Sequence, residues 1–237
     1  MKNPLIDKWA KALVGYSVEV HPGQSVIIMG HTAAEDLLVA CAKEVIDRGA
    51  HPIIWPLTEG LAPYLLENGN DAQIEWLSPF EIFSRKEADV LINIRAETNT
   101  RRLNDIDPAK QRQYAAARND LSAAYMQRAA DGELDWTLTL YPTDAYAQDA
   151  NMDTAAFTDF VIKSMKLDQD DPVAAWLKLR DDQQRLIDWL DGKSEIHMTG
   201  PDTDLKVNVK DRTWINSDGK RNFPSGEIFT GPVETSA

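Results

Sequence analysis

The sequence predicts a doubly wound α/β fold with a mainly parallel sheet and flanking helices, followed by the start of a second, β-rich domain. Three observations predict it. Short apolar, β-branched runs alternate with helical patterns through residues 1–150. Strands separated by helices need crossover connections, and crossovers build parallel sheet. Two further helical patterns follow, and beyond Lys193 the pattern changes to strict alternation in Leu205-Lys206-Val207-Asn208-Val209. Alternation marks a strand with one wet face, which is typical of antiparallel sheet. Finally, 237 residues accommodate one large domain, or one domain plus part of another. The expected boundary lies near Lys193: an α/β domain over 1–192 and the start of a second domain over 193–237.

The elements follow in order. Asn3-Pro4 reads as a helix cap followed by proline at the first helical position. Leu5, Ile6, Trp9, Leu13, Tyr16 and Val20 then recur at helical spacing, until His21-Pro22-Gly23 ends the helix. Ser25–Met29 is a short strand. Ala33–Arg48 is a helix with Leu37, Leu38, Cys41 and Val45 on one face, closed by Gly49. His51–Trp55 is a second strand, and a proline-interrupted helical region covers Glu59–Arg85. Ala88–Ile94 is a third strand. Asp107-Pro108 starts a long alanine-rich helix that runs to about Gly132, and Asp135–Tyr141 is a fourth strand. Helices follow at Thr154–Met165 and at Val173–Asp191, the latter started by Asp171-Pro172 and closed by Gly192. Asn216-Ser217-Asp218-Gly219 is a turn.

Composition removes several function classes. Lys plus Arg is 25 and Asp plus Glu is 38, a net charge of -13. That balance argues against nucleic acid and against anionic lipid, both of which need a positive footprint. No apolar run reaches membrane-spanning length and no signal-peptide pattern opens the chain, so no membrane role and a cytoplasmic location are expected. The single cysteine, Cys41, excludes an internal disulfide and a cysteine zinc cluster. Its helical neighbours make it a core residue.

Few residues suggest chemistry. The first strand-to-helix turn, Met29-Gly30-His31-Thr32-Ala33-Ala34, has one glycine where a dinucleotide fingerprint needs three. His31 sits where open α/β sheets place ligands, but a plain polar residue at a helix entry is the favoured reading. His21 and His51 precede prolines, His197 lies in a strand pattern, and the four histidines show no zinc-ligand spacing. Arg101-Arg102 could grip a carboxylate, although such pairs are more often solvated loop charges. No Gly-x-Ser-x-Gly elbow supports a serine triad. Glu227 is different. It follows Ser225-Gly226 and enters the apolar pair Ile228-Phe229, so it reads as a carboxylate entering a buried strand. A buried carboxylate must be paired or bound to metal. Gly226 removes a side chain beside it and allows close approach. A carboxylate on a surface turn is the competing reading.

Asn222-Phe223-Pro224-Ser225-Gly226-Glu227-Ile228-Phe229-Thr230, with Pro232, is similar to the first metal-ligand motif of the aminopeptidase T family, the thermophilic metallo-aminopeptidases. Upstream residues agree along essentially the whole chain: Thr203-Asp204-Leu205, Trp214, Asp218-Gly219, Tyr141-Pro142-Thr143 with Ala147-Gln148, and Leu5–Tyr16 followed by Pro22-Gly23-Gln24. The resemblance implies an enzyme that removes N-terminal residues from peptides, an N-terminal α/β domain, a C-terminal domain holding two divalent ions (zinc or cobalt), and a homodimer when complete. It implies that Glu227 is the first metal-ligating glutamate. The family's later ligands and its catalytic tyrosine have no matching positions, so no catalytic residue is assigned. The chain is expected to be the N-terminal part of such an enzyme, not to bind metal tightly and to be inactive alone. The alternative is a non-catalytic binding or dimerisation module.

Overall fold

A computed structural model describes residues 4–234. The expected Asn3 cap lies outside the described residues. Helix α1 (Pro4–Ala12) continues into a wide π turn at Leu13–Ser17, with Val18 N–H donating to Leu13 O over 3.1 Å. The helical pattern therefore stops short of Val20. Strand β1 (Ser25–His31) and a short 3-10 turn lead to α2 (Glu35–Asp47). Gly49 follows at φ +75°, the left-handed stop expected of a helix C-terminus. Strand β2 (His51–Leu57) comes next. The proline-interrupted region resolves into α3 (Leu61–Asn68), α4 (Asp71–Glu75) and α5 (Pro79–Lys86). Asn70 and Gln73 form a reciprocal capping box, and the Ser78 hydroxyl accepts from Glu81 N–H at 3.0 Å.

After β3 (Val90–Arg95), the expected long helix is two helices, α6 (Pro108–Ala116) and α7 (Asn119–Asp131). The break centres on Arg118. Its guanidinium donates to the carbonyls of Tyr114, Ile74 and Trp76 and to the Glu81 carboxylate, the last at 2.7 Å. These tertiary bonds outweigh the helix propensity of the alanine-rich segment. Strand β4 (Asp135–Leu140) precedes α8 (Asp144–Asp149), α9 (Thr154–Ser164) and α10 (Pro172–Leu190). The Asp153 and Asp171 carboxylates cap the last two, accepting from backbone N–H groups at 2.9–3.1 Å.

Four strands pair in parallel in the order β2-β1-β3-β4, with Ile27 opposite both Ile53 and Leu91, and Ile92 opposite Thr137. Alternate residues of one strand serve opposite faces. Val26 and Ile28 of β1 join Val90, Ile92 and Ile94 of β3 in the core under α1, α2, α9 and α10. Ile27, Met29 and Leu91 face the smaller core that packs Phe80, Phe83 and Tyr125 of α5 and α7. A helix layer on each face makes the sheet doubly wound, as predicted. β2 is an edge, and Pro52 and Pro56 remove two of its N–H donors.

The antiparallel hairpin expected beyond Lys193 is present as β5 (Glu195–Gly200) and β6 (Thr203–Asn208). Strand β7 (Ile215–Ser217) pairs antiparallel with β9 (Glu227–Phe229). Between them, β8 (Asn222–Phe223) adds a fifth parallel strand to the main sheet, setting Phe223 opposite Thr139. No periodicity marks this return, because two residues are too few to show one. Phe223 is 1% exposed and lies 5.4 Å from the Trp176 ring, inside the large core.

Candidate functional site

The segment carrying Glu227 is held to the α/β core at three points. The Tyr16 hydroxyl donates to Asp218 O at 2.8 Å, and the Ser17 hydroxyl to Gly219 O at 2.7 Å. Burial, reinforced by the Asp218 carboxylate, raises the Tyr16 phenol well above its ordinary pKa, so it stays a donor at any working pH. Phe223 is the second anchor. The third is Gln183 of α10, almost fully buried, whose Nε2 donates to Glu227 O at 2.8 Å and Asn216 Oδ1 at 3.0 Å. Gly219 N–H donates to the Ser225 hydroxyl at 2.7 Å, closing the turn before the motif. Gly226 has φ +118°, a conformation that glycine adopts without a Cβ penalty. A Cβ there would also stand 3.2 Å from Leu179 Cδ2.

Glu227 itself is exposed at the start of β9, and Phe229 is 50% exposed. The buried strand expected here is therefore a half-open ribbon. The reason is that, among the described residues, β9 pairs only with β7, and a two-stranded ribbon leaves much of its surface wet. Its backbone is fixed by Gln183 and by the pairing with Ser217, while its carboxylate faces outward from a rigid turn.

The other candidates fall elsewhere. Cys41 is fully buried, as expected of a core residue, and burial pushes its thiol far above the usual range. His21 and His51 are exposed. His197 is exposed too, rather than part of an apolar face, and its Nε2 lies 2.6 Å from Asp204 Oδ1 across the hairpin. His31 and Arg102 meet in a crevice at the carboxyl ends of the strands, with Glu59 and Glu97. Arg102 pairs with Glu59. Burial opposes ionisation of Glu59. The Thr98 hydroxyl and N–H, with the charge of Arg102, outweigh it and hold the carboxyl below its ordinary pKa. Arg101 stays outside, 3.4 Å from Asp149. Glu59 and Glu97 had no sequence signal, because neither sits in a motif.

The fold defines a doubly wound α/β protein with a glycine-glutamate turn tied to its sheet. The chain belongs to the thermophilic metalloprotease family M29, which it matches over residues 2–237. It is 24% identical to Aminopeptidase 2 of Geobacillus stearothermophilus and 26% identical to Aminopeptidase PepS of Streptococcus thermophilus. Each match takes in 96% of this chain and 60% of the relative. Wild-type AmpT from Thermus thermophilus shares the fold, with a TM-score of 0.78 at 17% identity over 96% of this chain and 61% of that one. The chain thus spans about three fifths of the length of these proteins.

A metalloprotease implies divalent ions. Among the described residues, no three His, Cys, Asp or Glu side chains come together in a group able to hold one. Structural and catalytic zinc sites take three or four protein ligands, and an exposed glutamate alone does not fit that need. No hydrolytic step follows from the described residues by themselves.

Proposed function

We propose that this chain is part of a metal-dependent aminopeptidase that removes N-terminal residues from peptides, and that Glu227 is one ligand of its metal centre. The observation that carries this reading is the family match, which runs through Ser225-Gly226-Glu227. The turn supports it: Gly226, Ser225 and Gln183 fix the backbone of Glu227 while its carboxylate stays accessible. Residues 1–192 form the supporting α/β domain and 193–237 begin the metal-binding one. The β8 strand then crosses back into the first sheet, so the two parts share a core at Phe223. Zinc or cobalt is the metal of this reading, the active form is a homodimer in the cytoplasm, and nucleic acid plays no part.

The 237 residues alone are inactive on this account, because one carboxylate does not hold a metal pair. The test is hydrolysis of aminoacyl p-nitroanilides by the pure chain with added zinc or cobalt. No turnover above buffer is expected, and metal-dependent turnover that Glu227→Ala abolishes would overturn the inactivity. A second reading, a non-catalytic binding module, is favoured by one observation, the crevice at the strand ends that gathers His31, Glu59, Glu97 and Arg102.

A further inference from the structure

β1 and β3 are neighbours in the sheet, and the chain leaves β1 for β2 on one side before returning to β3 on the other. That is the topological switch point of an open α/β sheet, where ligands bind beyond the carboxyl ends of the strands. A crevice of about 450 Å³ opens there, lined by His31 at the end of β1, Leu57 at the end of β2, and Arg95 and Glu97 at and just past the end of β3. Its volume lies within the range of small-molecule sites.

Its polar groups divide into those already used and those left over. Glu59 is consumed by Arg102 and by Thr98, whose N–H donates to Oε1 at 2.6 Å. Glu97 is not consumed. Its Oε1 stands 3.8 Å from Arg95 Nη1, beyond hydrogen-bond range, and its Oε2 is buried with no hydrogen-bond partner among the described residues. A buried carboxylate oxygen left this way is costly, and a cationic donor in the crevice would relieve that cost. Three further groups that can donate line the same crevice. Ala96 N–H donates to His31 Nδ1 at 3.2 Å, so the neutral ring carries its proton on Nε2. Glu97 N–H donates to the Tyr146 oxygen at 3.4 Å, which leaves the phenol proton for an acceptor. The Arg95 side chain is 58% exposed, and its one ion pair among the described residues is the distant contact with Glu97. Leu57, Pro63 and Leu103 supply an apolar wall.

We infer that this crevice binds a zwitterion: the amino group of an apolar α-amino acid or short peptide against Glu97, its carboxylate against Arg95, His31 and Tyr146, and its side chain on the apolar wall. The unpartnered Glu97 oxygen suits an ammonium, and the donors of Arg95, His31 and Tyr146 suit a carboxylate. The site is separate from Glu227, which does not line the crevice, and needs no metal.

The experiment is titration of the 237-residue chain, in EDTA, with leucine, leucyl-glycine, N-acetyl-leucine and leucinamide, followed by calorimetry and by backbone amide NMR shifts. Leucine or leucyl-glycine is expected to bind, with shifts centred on Ala96, Glu97 and Tyr146. The tighter of the two identifies the source as free amino acid or peptide. N-acetyl-leucine, which lacks the ammonium, and leucinamide, which lacks the carboxylate, are each expected to bind about 10-fold or more weakly, as for loss of a hydrogen bond to a charged group. Glu97→Gln is expected to weaken leucine binding to a similar degree. Tyr146→Phe, which removes only a hydroxyl, should weaken it less. No binding of either zwitterion at millimolar concentration would overturn the inference. So would equal binding of all four probes, or shifts elsewhere in the protein. If Glu97→Gln fails to fold, the probe comparison on the unaltered chain still decides. Binding that survives Glu227→Gln with EDTA present keeps this result independent of the peptidase reading.

Discussion

Replacing Phe223 by alanine tests whether the C-terminal segment belongs to the core of the α/β domain. Phe223 is 1% exposed, packs against Trp176, and sits on a strand of only two residues that pairs with β4. Burying a phenylalanine side chain stabilises by about 1.5–3 kcal/mol from transfer alone. The surrounding Trp176 and Thr139 are fixed by the helix and sheet they belong to, so a cavity would remain. Phe→Ala at such sites costs about 3–5 kcal/mol. For a chain of this size that lowers Tm by about 6–20 °C. The control is Phe229→Ala, on the same segment but 50% exposed, where a change under about 1 kcal/mol is expected. Urea unfolding of both variants, followed by tryptophan fluorescence, measures the difference. If Phe223→Ala and Phe229→Ala cost the same, within about 0.5 kcal/mol, Phe223 is not part of the core and the anchoring of Glu227 through β8 is wrong.

Other expectations follow from the same contacts. Gly30→Ala should be strongly destabilising, because a Cβ there would stand 2.8 Å from the Ile94 carbonyl oxygen, which the sheet holds in place; thermal melts would show a loss of about 1–3 kcal/mol, and a variant as stable as wild type would contradict the close approach. Tyr16→Phe removes the donor to Asp218 O and leaves that carbonyl buried and unpaired, at a cost of about 1–3 kcal/mol in urea unfolding. Glu59 has a depressed folded-state pKa, so its contribution to stability is full above its unfolded pKa of about 4.3 and is lost as pH falls through the lower folded value. Wild type should therefore exceed Glu59→Gln in stability near neutral pH, and the gap should close progressively below about pH 4; a gap that widens in acid would reverse the assigned direction.

Much of this fold is legible in the sequence because local signals and burial agree. The apolar runs of β1 and β3 carry alternate residues into two cores, and Asp107 and Asp171 start helices by capping them. Elements set by distant contacts are not legible. The break at Arg118 depends on carbonyls of Ile74 and Trp76, more than 40 residues earlier in the chain. Strand β8 is two residues long, too short to show a period, and exists because Phe223 finds the core and Leu138–Thr139 offer an open edge. Glu227 is visible through its motif, but its exposure depends on the ribbon it shares with β7. The crevice is invisible for the same reason: His31 ends β1, Glu59 follows β2, Glu97 and Arg102 follow β3, and they meet only when the strands align.

The most direct test of the account is the role of Glu227 in a complete enzyme. Residues 1–237 would replace the matched three fifths of Aminopeptidase 2 from Geobacillus stearothermophilus, and metal-dependent kcat/KM on an aminoacyl p-nitroanilide would be measured with Glu227 and with Glu227→Gln. The account predicts turnover that zinc or cobalt restores after EDTA and that Glu227→Gln lowers by about 100-fold or more, since even residues that only support a ligand cost 10–100-fold. An active chimera whose turnover is unchanged by Glu227→Gln would contradict it.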